Sequence, residues 1–499
     1  MEKVLRGFIL IISKKNEVHL FVKTEPNYAR ELSDFFTFEV PGARFMPTYR
    51  NKIWDGKIRL YSVASNEIYV GLLPYIEEFA KRNDIDIEYK DGVKNEREYG
   101  TSKLDNFIGR VSPKSKGKSL QIRDYQMAAF SHAVRNGRSL LLSPTASGKS
   151  LIIYLLTSWY ESDKVLILVP TTSLVEQMYS DFDDYSSTDE WFHADEWCRK
   201  IHGGTEKGPI FERCVISTWQ SIYKKPANWF QHFGMVIGDE AHQFKAKSLT
   251  AIMEKCTEAK YRIGTTGTLD GTQTHQLVLE GLFGPVHKVT TTKDLIDSDQ
   301  LAKLDIKMLL LKYKEEHCKE ISKLKYQDEI DFIVRYTPRN NFISNLAIDQ
   351  QGNTLILFNY VEKHGKPLHN ILKEKLKGKK RRLFYVSGET DVDTRESVRT
   401  ITEKEDNAII VASLGTFSTG INIRNLHNLI FASPSKSQIR VLQSIGRGLR
   451  KSNRDTQVFD IADDLHWKAK KNYTLGHAAE RIKIYSKEKF DYELFEINI

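Results

Sequence analysis

Three short stretches combine residue types that together can hold and break a phosphoanhydride. The first is SPTASGKS, Ser143–Ser150. It approaches the pattern G-x-x-x-x-G-K-[ST], with Ser143 at the first glycine position and Gly148, Lys149 and Ser150 in register. In such a loop the backbone N–H groups, here through Thr145, Ser147 and Gly148, cradle phosphates. The lysine reaches the β- and γ-phosphates and the hydroxyl of Ser150 faces Mg2+. A lone G-K-[ST] decides little, since about one chain in four of this length carries one by accident. The second stretch is VIGDEAHQF. Asp239 is suited to hold Mg2+ and Glu240 to orient and deprotonate a water molecule. The third is QSIGRGLR, Gln443–Arg450. On a helix Arg447 and Arg450 share a face, either as a solvated basic surface or as charge supplied to a γ-phosphate. ATP and Mg2+ are the cofactors these residues call for.

Strands must anchor such loops, and the flanking sequence supplies them. SPTASGKS follows the apolar run Ser139–Leu142 and opens an apolar helix near Lys149. KVLILVPTTSLVEQMYSDF, CVISTWQSI and MVIGDEAHQF repeat that plan. Nearly continuous apolar strands followed by loops and helices predict a buried parallel sheet, with Asp239 and Glu240 projecting at its carboxyl edge. The plan resumes with NTLILFNYV, RLFYVSGET, AIIVASLGTF and NLIFASP. The fold class is therefore α/β, with two tandem parallel-sheet domains. A small α+β module precedes them. The expected divisions are 1–100 for this module, 101–120 for a linker and 121–300 for the first, ATP-binding domain. A connecting helical segment (301–345), the second domain (346–475) and a helical tail (476–499) follow.

The 499-residue chain is too long for one core. Its net charge of +9 suits a polyanionic partner without establishing one. The four cysteines are scattered, with no CxxC, which indicates neither a disulfide framework nor a zinc site. No stretch has the roughly 18 apolar residues of a membrane span, so a soluble cytoplasmic protein is expected. In the N-terminal module, RFMPTYRNKIWDGKIRLY interleaves Arg44, Arg50, Lys52, Lys57 and Arg59 with Phe45, Tyr49, Trp54 and Tyr61. That mixture suits backbone contact and base stacking, or a hairpin with core aromatics and solvated charges.

PTASGKS, DEAH, TTGT (Thr265–Thr268) and QSIGRGLR occur in this order, and the set resembles superfamily 2 helicases with two RecA-like domains. The resemblance covers about 350 residues. IRDYQ is similar to that family's adenine motif, which implies that Gln126 reads adenine with help from Arg123. It also implies nucleotide contacts at Gly420 and Gln443, and backbone contacts to nucleic acid at Thr171, Thr172, Thr218, Gln220, Ser387, Gly388 and Thr416. Two departures are Ala146, where many relatives have glycine, and Asn422, where aspartate is common.

FEVPGARFMPTYRNKIWDGKIRLY ahead of this core resembles the UvsW-type helicases of large tailed phages. That family implies an ATP-driven motor on branched DNA (forks, Holliday junctions and R-loops) serving recombination, repair and replication. It implies DNA contacts from Arg44, Arg50, Lys52, Trp54 and Lys57. A monomer, with a single-strand-binding protein as accessory, is the expected assembly. The alternatives are the motor of a restriction system, an RNA helicase, and a DNA-binding protein with a decayed ATPase. The chain shows no convincing P-D…[DE]-x-K nuclease arrangement, and intact Lys149, Asp239, Glu240, Arg447 and Arg450 argue against decay.

Overall fold

The computed structural model describes all residues except 1–8, 91, 95–99, 188–191, 204–207, 245–246, 270–271, 421–422, 424, 435–436, 438–440, 443 and 447–454. The chain forms two compact units. The first holds the residues up to Ser143 with Gly148–Val289, and the second holds Pro144–Ser147 with Thr290–Ile499.

In the first unit the apolar runs form a seven-stranded parallel sheet. Its order is Cys198–Ile201, Cys214–Thr218, Val165–Val169, Met235–Asp239, Tyr261–Thr266, Arg138–Leu142, Val286–Lys288. The strands Val165–Val169, Cys214–Thr218 and Met235–Asp239 are buried along their whole length. Helices cover both faces, so these sequences do not alternate. All carboxyl ends point to one edge, where Ser143 and Asp239 fall at the ends of their strands. Arg262 is fully buried in this unit. Its guanidinium donates to the carbonyls of Met253, Cys256 and Leu282 near the ends of two helices. Helix carboxyl ends carry partial negative charge, and this is how the fold accommodates the cation.

The second unit repeats the plan. Its sheet runs Leu383–Val386, Ile409–Ser413, Thr354–Phe358, Asn428–Phe431, Thr456–Asp464, Leu304–Lys312, Tyr492–Asn498, again all parallel. The architecture is that of two tandem RecA-like domains, as expected from the sequence.

Three of the expected divisions differ from the structure. Residues 101–120 hold a helix, Thr101–Val111, whose Leu104, Phe107 and Val111 are buried in the first domain's core. Phe107 stacks on Phe130 and meets Trp159 edge-on. Its apolar positions are three and four apart, a helical stripe that the Ser/Gly/Lys-rich residues after it obscured. Residues 301–345 are not purely a helical connection. Leu304–Lys312 is an interior strand of the second sheet, with Ile306, Met308 and Leu311 buried. The tail after the helix Tyr473–Lys487 ends in the edge strand Tyr492–Asn498. Strands that join from a distant part of the chain lack the local strand–loop–helix rhythm that betrays the others.

The N-terminal module is a four-stranded mixed sheet in the order Glu67–Tyr69, His19–Lys23, Ile9–Lys14, Asp86–Tyr89. The helices Pro26–Phe35 and Leu73–Arg82 pack on it through Leu32, Ile76 and Phe79. This module is joined to the first parallel-sheet domain by shared core. Leu277, on the helix Gln273–Phe283, belongs to the module's apolar cluster. Tyr75 donates to Glu280 Oε2 at 2.5 Å and Tyr69 to Glu254 Oε1 at 2.7 Å. Arg138 pairs with Glu17 at 2.9 Å. Two glycines permit close approach here: a Cβ on Gly71 would lie 1.9 Å from the Glu280 carbonyl oxygen, and one on Gly281 would lie 2.9 Å from the Tyr69 ring. From the module projects an arm, with Thr37–Glu39 and Lys57–Arg59 as its antiparallel stem. Tyr61 is buried, and its hydroxyl donates to the Val22 carbonyl, so it belongs to the core and not to the arm's surface.

Among the described residues no helix is long and apolar enough to cross a membrane. No cluster of His, Cys, Asp and Glu suited to a metal occurs among them, and the four cysteines are buried thiols.

Candidate functional site

The strand Arg138–Leu142 ends at Ser143, whose N–H donates to the Thr266 carbonyl at 2.8 Å. Ser143 is absent from the positive-φ positions, so this residue takes the place of glycine without backbone strain. Ala146 does have a positive φ, 65°, a conformation that costs a non-glycine residue about 1 kcal/mol. Within the loop the Ser147 hydroxyl donates to the Pro144 carbonyl at 2.6 Å. Gly148 is required twice over. Its φ is +81°, and a Cβ there would lie 2.3 Å from Gln126 Nε2. Gln126 is buried, and its Oε1 accepts from the Arg123 N–H at 3.0 Å, so its amide is aimed at the loop. Arg123 is exposed and donates to the Tyr125 hydroxyl at 2.7 Å. Lys149 opens the helix Lys149–Trp159, and its Nζ donates to the Ser143 carbonyl at 3.3 Å. Ser150 Oγ is 2.9 Å from the Tyr185 hydroxyl, a partner that nothing in the loop motif announces.

Asp239 ends the strand Met235–Asp239, beside the end of Tyr261–Thr266. Its Oδ1 accepts from Thr265 Oγ1 at 2.7 Å and from the Glu240 N–H at 2.9 Å. Burial pushes this carboxyl up and the Glu240 charge adds to that, while Lys149 and the Thr265 hydrogen bond act in the opposite sense without cancelling it. A buried carboxylate short of positive charge fits a hard divalent cation such as Mg2+, which Asp239 would hold. Glu240 has φ 50° and follows the strand directly. His242 Nδ1 is 3.3 Å from Glu240 Oε2 and 3.1 Å from Thr266 Oγ1. His275 Nε2 donates to the His242 carbonyl at 2.9 Å. Thr265, Thr266, His242 and His275 thus fix the two carboxylates. The TTGT string pointed to the threonines, and nothing local pointed to His275.

A carboxyl raised in the fold makes the folded state less stable when ionised, with stability regained as pH falls toward the raised value. Asp239→Asn keeps an acceptor for Thr265 and removes the charge. The nucleotide-free variant is expected to melt about 2–4 °C higher than the parent at pH 7. A lower melting midpoint in thermal unfolding would show that the charge is already compensated.

At the same edge, Thr171 caps the helix Thr172–Tyr185 by accepting from the Leu174 N–H. Thr172 is exposed beside it. Gln220, also exposed, donates to the Pro170 carbonyl at 3.4 Å. Thr218 is buried, with Oγ1 2.9 Å from Ser221 Oγ. Strand register places Val169 opposite Thr218, so these four residues converge. In the second domain Val386 is opposite Ala412, which brings Ser387 and Gly388 to the same edge as Thr416. Ser387 is buried: its Oγ accepts from the Glu389 N–H, its own N–H donates to Thr390 Oγ1 at 3.0 Å and its carbonyl accepts from Arg395 Nη2 at 3.3 Å. Thr416 Oγ1 accepts from Ser413 Oγ at 2.6 Å. Gly420 ends the helix Leu414–Gly420. Asn422, Gln443, Arg447 and Arg450 lie outside the described residues. In the arm, Arg44, Arg50, Lys52 and Lys57 are exposed, and half-buried Trp54 donates from Nε1 to the Lys57 carbonyl at 2.8 Å.

Residues 119–271 match the family described as "Type III restriction enzyme, res subunit", and residues 338–452 match "Helicase conserved C-terminal domain". Residues 13–90 match "DNA helicase UvsW, N-terminal". The chain is 34% identical over 96% of its length to the ATP-dependent DNA helicase uvsW of Enterobacteria phage T4, covering 98% of that protein. It is 23% identical over 79% of its length to the DNA 3'-5' translocase XPB2 of Sulfurisphaera tokodaii, covering 94% of that protein. The crystal structure of T4 UvsW matches with TM-score 0.52 and 32% identity, over 98% of this chain and 99% of that one. With the phosphate loop, the DEAH carboxylates and all three family matches in chain order, the protein belongs to the UvsW family of superfamily 2 helicases.

Proposed function

We propose that this ATP-hydrolysing helicase acts on branched DNA, unwinding and branch-migrating forks, Holliday junctions and R-loops in phage recombination, repair and replication. The observation that carries the reading is that likeness to the T4 helicase extends through the N-terminal module as well as the motor domains. The restriction-enzyme family described above matches residues 119–271, outside that module. Lys149 holds the β- and γ-phosphates, Ser150 and Asp239 hold Mg2+, and Glu240 takes a proton from the attacking water. Bound Mg2+ neutralises charge on the phosphates. Gln126 and Arg123 recognise adenine. Thr145, Ser147, Gly148, Gly420 and Gln443 complete the nucleotide contacts, and Arg447 and Arg450 supply charge to the γ-phosphate. Thr171, Thr172, Thr218, Gln220, Ser387, Gly388 and Thr416 contact the DNA backbone, with Arg44, Arg50, Lys52, Trp54 and Lys57 gripping duplex from the arm. The protein works in the host cytoplasm as a monomer, alongside a single-strand-binding protein.

The test is steady-state ATP hydrolysis with no nucleic acid, single-stranded DNA, duplex, a four-way junction and RNA. Stimulation is expected to be greatest with the junction, to vanish in Glu240→Gln, and to fall steeply with salt because phosphate contacts release counterions. Stimulation by RNA alone would transfer the protein to RNA remodelling. Deleting residues 1–100 is not a usable control, since it would expose the core that the module shares with the first motor domain.

A further inference from the structure

Every residue from Arg44 to Ile53 is exposed. Phe45 is 63% exposed and Ile53 is 75% exposed, with Met46 and Tyr49 near 40%. Bulky apolar side chains so exposed at the end of an arm are not there to stabilise this fold. The tip is nonetheless firmly built. Ile53 N–H donates to the Thr48 carbonyl at 2.9 Å and Val40 N–H to the Gly56 carbonyl at 2.8 Å. Gly56, at φ +79°, lets the Tyr49 ring lie against the backbone, since a Cβ there would be 3.0 Å from that ring. The surroundings are cationic. Residues 40–60 contain five arginines and lysines against one acidic residue, Asp55. The Arg44 guanidinium lies 4.9 Å from the centre of the Phe45 ring. Exposed apolar side chains set among positive charges in one short segment have as their complement an apolar slot between phosphate chains, which is an opened base step.

We propose that Phe45 and Ile53 form a wedge that enters the base stack at a DNA branch point, while the surrounding arginines and lysines hold the flanking phosphates. This rests on the reading of the chain as a branched-DNA helicase and adds the element that distinguishes a branch from plain duplex. Inserting an apolar side chain between bases costs a few kcal/mol of unstacking in intact duplex, and least where pairing is already broken. The wedge is thus selective for the branch without reading sequence. Because the arm belongs to a module packed backbone to backbone on the first motor domain, the wedge is held at a fixed place relative to that domain's DNA-facing edge.

The experiment uses the full chain and a four-way junction carrying 2-aminopurine either at the branch point or within an arm, with a non-hydrolysable ATP analogue. Binding of the parent protein is expected to raise branch-point fluorescence about twofold or more and to leave the arm probe unchanged. In Phe45→Ala/Ile53→Ser that rise is lost and junction unwinding falls about tenfold, while duplex affinity and DNA-stimulated hydrolysis stay within about threefold of the parent. Phe45→Trp restores the signal. Both positions are exposed, so the variants keep the fold, which circular dichroism checks. An unchanged signal in the double variant, or none in a parent that binds the junction and hydrolyses ATP in response, overturns the wedge alone and leaves the tip as a surface for a protein partner. Failure of the parent to bind the junction or respond to DNA overturns the branched-DNA reading with it.

Discussion

Lys149→Ala lowers the rate of DNA-stimulated ATP hydrolysis by about 10²–10³ or more, while affinity for duplex DNA stays within about threefold of the parent. The asymmetry follows from position. Lys149 opens the helix after the phosphate loop, and its Nζ lies at 3.3 Å on the Ser143 carbonyl, inside the loop. Its charge acts where negative charge concentrates during hydrolysis. The groups proposed to touch DNA lie elsewhere, at the ends of the strands Val165–Val169 and Cys214–Thr218 and on the arm. Lys149 is also a cation that counteracts the upward push on Asp239. Its removal therefore leaves that carboxyl with less reason to be ionised, which would also weaken the Mg2+ site proposed there. Turnover measured beside a fluorescence-anisotropy titration checks the split. Loss of duplex binding by the folded variant would mean that nucleotide and DNA contacts are not divided as described.

Arg339→Met is expected to destabilise the second domain by about 3–5 kcal/mol. Arg339 and Asp463 have fully buried side chains. Nε donates to Asp463 Oδ1 at 2.6 Å and Nη2 to Oδ2 at 3.0 Å, a two-pronged pair, and Nη2 also reaches the Ala432 carbonyl at 2.8 Å. The Tyr313 hydroxyl donates to the same carboxylate at 2.7 Å. The group ties the helix Thr337–Asp349 to the end of the strand Thr456–Asp464 and to the residue following Leu304–Lys312. Removing the arginine alone strands a buried carboxylate. Removing both charges in Arg339→Met/Asp463→Leu should recover most of the loss, because buried ion pairs are often replaceable by apolar groups. Urea unfolding of the four members of the cycle gives the answer. A double variant as unstable as the single one would show that shape, and not uncompensated charge, is what the arginine supplies.

How much was legible in the sequence depended on whether cause and effect were close together along the chain. The phosphate loop and the DEAH residues were readable because each follows its own apolar strand and opens its own loop or helix. The parallel sheets were readable for the same reason. Leu304–Lys312 and Tyr492–Asn498 were not, since each joins the second sheet from outside the repeating unit. His275 reaches the DEAH loop from a helix 33 residues further on, and Tyr185 reaches Ser150 across 35 residues. No spacing rule connects such pairs. Arg339 stands in TPRNNF, a string that reads as solvent-facing, and only the fold reveals that it is buried. In the arm, interleaved charge and aromatics were visible, but Phe45 and Tyr61 looked alike until one proved exposed and the other part of the core.

The glycine pair at Gly71 and Gly281 sets the mechanics of the N-terminal module. At most joints between modules side chains mediate, and side chains slide, rotate and tolerate replacement. Here the backbone at Gly71 lies directly on the backbone of the helix Gln273–Phe283, and Gly281 lets the Tyr69 ring lie close against the same helix. Such a joint behaves as a keyed splice, stiff to shear and torque, and load taken up by the arm passes straight into the first motor domain without being absorbed in a hinge. The same stiffness makes the two positions a matched set for protein engineering: a module exchanged between relatives will seat only on a helix that offers the same bare face.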